Sequence, residues 1–305
     1  MASAVSRFSR SITDSLSSLG HRAVTGLSVE GHDLRMLCVS GQEIVRFASR
    51  PLDPNLMPGG MVADPAGFGN AVREAMLEYD FPHGRVVAGF PDLDARSRLL
   101  PLPSDSRNKI GDVVKREARH DPVMGKDDYR LFHQIVEEGQ SQITVFILAV
   151  RRQALSNFIQ GLKMANLAPQ IVDLRPLALI RAVNQPHSIA VNIERGAMDV
   201  VIVRNNMPVI MRSVPLNEDQ PSIVDDVIRE LEVTIAAYNN EYPTPLNPRL
   251  PLALTGDLAS GLEMQQAVQE RLGHPLAALS CPFTGAPGLD VANYMVNIGL
   301  VLKAR

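Results

Sequence analysis

The chain has 305 residues, 45% apolar and 21% charged, enough for one large or two ordinary globular domains with a sizeable core. A net charge of −3 with both signs dispersed, and the lack of Trp, remove the case for nucleic-acid binding. The two cysteines, Cys38 and Cys281, are expected as buried thiols, and the seven His show no metal-ligand spacing. Apolar runs such as Ile143–Val150 are too short to cross a bilayer and no secretory segment is visible, so a cytosolic body is expected.

Residues 1–23 differ in composition, with seven Ser, three Arg and one acid. Val5, Phe8, Ile12, Leu16 and Leu19 are spaced 3, 4, 4 and 3, which places them on one helical face. Three readings stay open: a docking helix or partly disordered tail, a basic amphipathic helix for a membrane surface or a partner, and an organelle transit peptide.

Val24–Ser49 reads as three strands with turns at Gly31-His32 and Gly41-Gln42. Pro51–Gly60 is a loop, after which Asp64 caps a helix with Pro65 in its first turn and Phe68, Val72, Met76 and Leu77 as its buried face. Arg85–Phe90 and Arg98–Leu102 are short strands, each closed by Pro. Ser106–Arg119 is an amphipathic helix, with Ile110, Val113, Val114 and Ala118 inward. Tyr129–Glu137 and Gln142–Val150 pair as a hairpin, Arg151–Ala165 is a helix, Gln170–Asp173 a strand and Pro176–Val183 a short helix. Residues 86–173 thus make a β-α-β-β-α-β-like block, expected as a small inserted α/β subdomain.

The opening pattern then returns. Ile189–Val214 again reads as strands, with turns at Arg195-Gly196 and Asn205-Asn206. A long helix spans Ile223–Tyr238, a strand Leu252–Thr255 enters the turn Gly256-Asp257, and a helix covers Leu262–Leu272. A strand at Leu276–Leu279 and a helix at Val291–Leu302 close the chain. Strands followed by a helix in each half predict two similar lobes facing one another across a cleft. Asp92 and Asp94 near Arg96 and Arg98 suit a solvated loop, and Asp225 and Asp226 suit a helix N-terminus. Met207, Met211 and Met264 suit packing, and no spacing supports a Ser-His-Asp or Cys-His arrangement.

An ordered set of segments resembles the PilM family, the actin-like, FtsA-related proteins of type IV pilus assembly. The set comprises GLSVEGHDLRMLCV, PLDPNLMPGGMVADPAGF, AGFPDLDARSRLLPLP, AVRRQALSNFIQGLKMANLAPQIVDLRPLALIRAV, IAVNIERGAMDVVIVRNNMPV, LALTGDLASGL and YMVNIGLVLK, and spans nearly all of residues 24–304. The resemblance implies an α/β, actin-like two-lobed fold with ribonuclease H-like lobes. The first lobe would cover 24–188, with the inserted subdomain at about 86–173. The second would cover 189–284, and a C-terminal helix in 285–305 would return to the first. It also implies a scaffold at the cytoplasmic face of the inner membrane, holding the cytosolic N-terminal peptide of a PilN-like protein and self-associating into a ring or platform. By analogy the peptide would lie near Val87, Phe90, Leu100, Leu102, Val145 and Ile147, adding its backbone to a sheet edge.

The resemblance places a phosphate-binding hairpin at Thr25–Val39 and its twin at Ile189–Val203. Such hairpins work because Gly lets turn N–H groups approach phosphate oxygens, while a carboxylate helps hold Mg²⁺. Here Ser28 stands at the family Asp, and Glu30 replaces a Gly, with Gly31 beside it. Asn192 and Glu194 replace the second Asp and Gly, Gly196 falls two residues late, and Gly256-Asp257 replaces a Gly-Gly pair at the adenosine turn. A carboxylate ~5 Å from a triphosphate repels it by a few kcal/mol at an effective dielectric near 20. A roughly micromolar cofactor is held by only ~8 kcal/mol. The expectation is therefore a degenerate nucleotide site with no cofactor, no resident metal and at most weak ATPase activity. ATP with Mg²⁺ recruited by Glu30, Glu194, Asp199 and Asp257 is the alternative. The competing functions are an actin-like ATPase cycling between open and closed lobes, and a filament-forming cytoskeletal protein.

Overall fold

The computed structural model describes residues 23–82, 84–91, 94–121, 124–125, 128–217 and 222–305. The apolar stripe at Val5, Phe8, Ile12, Leu16 and Leu19, with the membrane contact expected of it, lies outside them, as does Asp92.

Three strands, β1 (Val24–Glu30), β2 (Asp33–Ser40) and β3 (Glu43–Pro51), form an antiparallel meander. Beside β1 run β4 (Arg85–Phe90) and then β8 (Ile171–Leu174), both parallel to it, giving the order β3-β2-β1-β4-β8. The second half repeats the plan. Strands β9 (His187–Glu194), β10 (Ala197–Arg204) and β11 (Met207–Pro215) form a meander, with β12 (Leu252–Thr255) parallel to β9. The repeat extends to register. Glu30 pairs with Asp33 across the first turn and Glu194 with Ala197 across the second. The irregularity between Cys38 and Val39 recurs between Ile202 and Val203, each five residues beyond its turn pair. By this correspondence Ser28 matches Asn192, Glu30 matches Glu194 and Arg35 matches Asp199.

The layers follow from which strand faces are apolar. Residues of β1 and β2 are buried on both faces, so helices must cover both sides. One side receives α1 (Pro65–Glu78) and α3 (Arg152–Met164), where Phe158 packs against Phe68 and Phe90. Asp64 caps α1 through Ala66 N–H, as expected, but Leu77 points to solvent and Ala75 takes its place inside. The other side receives α4 (Arg175–Val183) and α7 (Val291–Lys303), which lie between the two sheets and pack on both. The far side of the second sheet is covered by α5 (Ile223–Glu241) and α6 (Leu262–Leu272). Helices α4 and α7 cross at close range because Gly299 has no side chain; a Cβ there would overlap the Ala178 carbonyl. The segment Leu276–Leu279, expected as a strand, makes only an isolated bridge from Leu276 to Leu252.

A third sheet, order β5-β7-β6, is built from β5 (Arg96–Pro103), β6 (Tyr129–Glu138) and β7 (Gln142–Arg151). Helix α2 (Ile110–Arg119) covers one face of it; the helix begins later than expected, because residues 104–109 form a 3₁₀ turn. This sheet occupies only 96–151 of the 86–173 block, since β4 and β8 at the ends of that block pair in the first sheet. No helix among the described residues is long and apolar enough to cross a membrane.

Candidate functional site

The two hairpins meet at their turns. Gly31 has a φ of 58° and Gly196 of 76°, the left-handed conformation that tight turns require. A Cβ on Gly31 would lie 3.0 Å from the Arg195 carbonyl oxygen and 3.4 Å from Cβ of Glu194, so the turns touch. Gly256, at φ 97°, presses against the Ile193 backbone where a Cβ would overlap the carbonyl. Its neighbour Asp257 stands apart from the interior and pairs with Arg195 at 3.5 Å.

Behind the turns the space between the sheets is filled by side chains. Ser28, Glu30, Arg35, Arg175, Asn192, Glu194 and Asp199 are each at most 5% exposed. Arg35 reaches from β2 across to β9 and donates two hydrogen bonds to Glu194, Nη1 to Oε1 at 2.6 Å and Nη2 to Oε2 at 2.9 Å. Asn192 crosses in the opposite direction, donating from Nδ2 to Glu30 Oε2 at 2.9 Å, and its Oδ1 accepts from Thr255 at 2.9 Å. Position 35 is basic, whereas its counterpart 199 is acidic. Asp199 therefore has no cation from the repeat to meet, and Arg175 at the start of α4 supplies one. Its guanidinium lies 3.4 Å from Asp199 and 3.8 Å from Glu30 and donates to the Val29 carbonyl at 2.9 Å. Asp199 also accepts from the Ser213 hydroxyl. Asn297, buried in α7, donates to the Gly26 carbonyl, Ser28 Oγ and the Arg35 carbonyl.

The electrostatics follow from this inventory. Burial works against the charges of Arg35 and Arg175, but the surrounding carboxylates outweigh it and raise both guanidinium pKa values. Three carboxylates face two guanidiniums, so the acids compete. Burial, and then the nearby Glu30 charge, push Glu194 up to about 7. Glu30 is raised as well, chiefly by burial.

The expected site residues Ser28, Glu30, Gly31, Asn192, Glu194 and Gly196 are thus brought together at the inter-sheet seam, with Gly256 against it and Asp257 outside. Acids considered as recruits for Mg²⁺ (Glu30, Glu194 and Asp199) are instead engaged by Arg35, Arg175, Asn192 and Ser213. Sequence reasoning did not single out Arg35, Arg175 or Asn297. Their signal was a polar residue inside an apolar run: LRM in β2, LRP entering α4 and VNI in α7.

A second feature is a groove of about 440 Å³ between the first and third sheets. Its walls are Phe132, Leu148 and Val150 of the third sheet, Leu155 and Ile159 of α3, and Phe90 and Val172 of the first sheet. Among the described residues both flanking strands, β6 and β8, are terminal in their sheets, so each has one edge that pairs with no other strand. Of the residues expected to meet a peptide, Phe90 lines this groove. Leu100, Leu102, Val145 and Ile147 do not; they are buried beneath α2, and Val87 is buried against α4 and α7. Strand side chains alternate, so a choice displaced by one residue selects the opposite face. On β7 the groove face carries Phe146, Leu148 and Val150. Because β7 is apolar on both faces, its sequence did not say which face α2 would cover.

No protein-family model matches the chain, and no curated protein matches it in sequence. Among solved structures it resembles a chain of the PilM–PilN type IV pilus biogenesis complex, with a TM-score of 0.76 and 20% identity over 92% of this chain and 98% of that one. It also resembles the cytoplasmic domain of EpsL, an inner-membrane component of the type II secretion system of Vibrio cholerae (TM-score 0.53, 14% identity, 92% and 94% covered). A protein of actin-like ATPase fold from Bacteroides thetaiotaomicron gives a TM-score of 0.50 at 10% identity, with 92% and 95% covered. The paired sheets, the repeated meander and these likenesses agree: the chain has the actin-like fold.

Proposed function

We propose that this protein is a cytoplasmic scaffold of a pilus-type or secretion-type assembly at the inner membrane, and that it works by holding an extended cytosolic segment of a membrane protein. The observation that carries this reading is the groove between the first and third sheets, apolar along its walls and flanked by the open edges of β6 and β8. An extended chain there can hydrogen-bond its backbone to an edge while alternate side chains enter the groove. The likeness to the PilM–PilN complex favours a PilN-like partner.

In this reading the inter-sheet cleft does no nucleotide chemistry. The hairpin turns touch, and Arg35, Arg175 and Asn192 bind the acids that stand where glycines would admit phosphates. A nucleotide would have to part the Arg35–Glu194 pair and leave buried charges without partners, a cost comparable to its own binding energy. Mg²⁺ would meet the same competition.

The test is titration of the full chain with the cytosolic N-terminal peptide of a candidate membrane partner, with a scrambled peptide as control. Phe132 lines the groove and is 39% exposed, so Phe132→Asp alters the groove wall without burying a charge in the core. It is expected to weaken binding at least tenfold, about 1.4 kcal/mol, with an unchanged melting temperature. Equal binding of native and scrambled peptides, or by Phe132→Asp and wild type, contradicts the proposal.

A further inference from the structure

Residues 1–22 and the end of the fold that they join share one chemistry. Val5, Phe8, Ile12, Leu16 and Leu19 fall within about an 80° arc of a helix at 3.6 residues per turn. As a strand the same five would divide between two faces, because their positions are both odd and even. Three Arg and one acid give the segment a charge of +2 in a chain whose total is −3. Ala23 follows, and β1 begins at Val24, which pairs with Arg85 of β4 on one side and Val39 of β2 on the other. The segment therefore meets the first sheet at the end opposite the hairpin turns, about 20 Å away along the seven residues of β1.

Three basic side chains stand at that end. Arg85 donates from Nε to Gln170 at 2.7 Å and from Nη2 to the Ala304 carbonyl at 3.0 Å, which sets the end of α7 beside the start of β4. Exposed Lys303 and Arg305 flank Ala304. Arg305 lies over the Phe283 ring, 4.6 Å from its centre, and donates to Gln42 in the turn after β2 at 3.3 Å. We infer that residues 1–22 lie as an amphipathic helix on an anionic lipid surface, and that the end of the first lobe carrying Arg85, Lys303 and Arg305 faces the same surface. An interfacial helix binds through its buried apolar area and through attraction of its cations to anionic lipid. Basic side chains of the folded body within a Debye length of the surface add to that attraction. The groove beside the third sheet suits this segment less. Its flanking strands call for an extended chain, whereas the stripe has a helical period, and Arg130 and Lys303 in the groove lining repel a basic segment.

The experiment is sedimentation of the full chain with vesicles of phosphatidylcholine alone and of phosphatidylcholine mixed with phosphatidylglycerol. Circular dichroism reads helix content, and a thermal melt reads stability. Wild type should bind the anionic vesicles with a gain in helix, bind phosphatidylcholine at least tenfold more weakly, and lose binding as salt rises. Phe8→Asp/Ile12→Asp should lose at least tenfold in binding together with the helix gain, at an unchanged melting temperature. Lys303→Gln/Arg305→Gln should weaken binding about tenfold and keep the helix gain once bound, which separates the folded end from the segment. No binding to anionic vesicles, equal binding to both compositions, or equal binding by wild type and Phe8→Asp/Ile12→Asp would overturn the inference. Undiminished binding by Lys303→Gln/Arg305→Gln would overturn the orientation of the first lobe. A melting temperature lowered by Phe8→Asp/Ile12→Asp, without vesicle binding, would assign the stripe to the body of this chain and overturn lipid as its partner.

Discussion

Removing the Arg35 guanidinium leaves Glu194 buried between two sheets without its bidentate partner. Breaking such a pair from one side costs about 3–5 kcal/mol, whereas replacing both members by apolar groups of similar volume is often neutral. Arg35→Ala should therefore lower the denaturation midpoint strongly, and Arg35→Met combined with Glu194→Leu should recover most of the loss, as read by urea unfolding. Equal destabilisation by both would mean that the pair contributes something other than charge compensation. The seam also carries a pH signature. Glu194 holds its proton more tightly in the folded protein, where it titrates at about 7, than in the unfolded chain, where it titrates near 4.5. Its contribution to stability is complete below 4.5 and is lost as pH rises through about 7. Wild type should lose stability relative to Glu194→Gln across that window; parallel stability curves would contradict the raised value. The acids of the seam were legible in the sequence, because Glu30 and Glu194 fall at turn positions that a phosphate site gives to glycine. Their cations were not. Arg35 sits five residues beyond Glu30, but Arg175 comes from a helix whose approach to the hairpins is set by the packing of α4 between the sheets.

Elements with a strong period were read directly from the sequence. The hairpin meanders, the capped α1 and the long α5 all follow from alternation, turn glycines and 3.6-residue spacing. What failed was the face of a strand that is apolar on both sides. β7 presents Val145 and Ile147 to α2, and Leu148 and Val150 to the groove. Only the docking of α2 distinguishes them, and that is a tertiary choice. Leu276–Leu279 failed for a related reason, since its apolar residues pack without an extended pairing partner beyond the Leu252 bridge. Helix crossing offers a prediction at this scale. Ala is a better helix former than Gly by about 1 kcal/mol, so Gly299→Ala would stabilise an isolated helix. In the protein the new Cβ meets the Ala178 backbone, which cannot rotate away, and overpacking of this kind costs about 1–3 kcal/mol or more. A lowered melting temperature for Gly299→Ala is expected, and an unchanged one would mean that α4 and α7 do not hold this contact.

At the scale of the whole molecule, the repeated meander explains both the architecture and the charged seam at its centre. Two copies of one hairpin bring positions 30, 35, 194 and 199 to a common seam. Arg35 from one copy meets Glu194 of the other, and Arg175, from outside the repeat, meets Asp199 and Glu30. The two lobes are then joined by their own side chains, while the groove beside the third sheet stays open. The fold was legible because the repeat survives in the spacing of turns. Of the seam, only the replacement of glycines by acids was legible, since the partners of those acids come from four separate elements, β2, α4, β9 and β11.

A seam closed by Arg35, Arg175 and Asn192 is expected to exclude nucleotide. Calorimetric titration of the full chain with Mg·ATP, paired with a thermal melt at saturating ligand, tests it most directly. A micromolar site stabilises the folded state by about 4.1 kcal/mol at a thousandfold excess over Kd. Wild type should show no saturable heat and no shift in melting temperature. Micromolar binding with a matching thermal shift would contradict it.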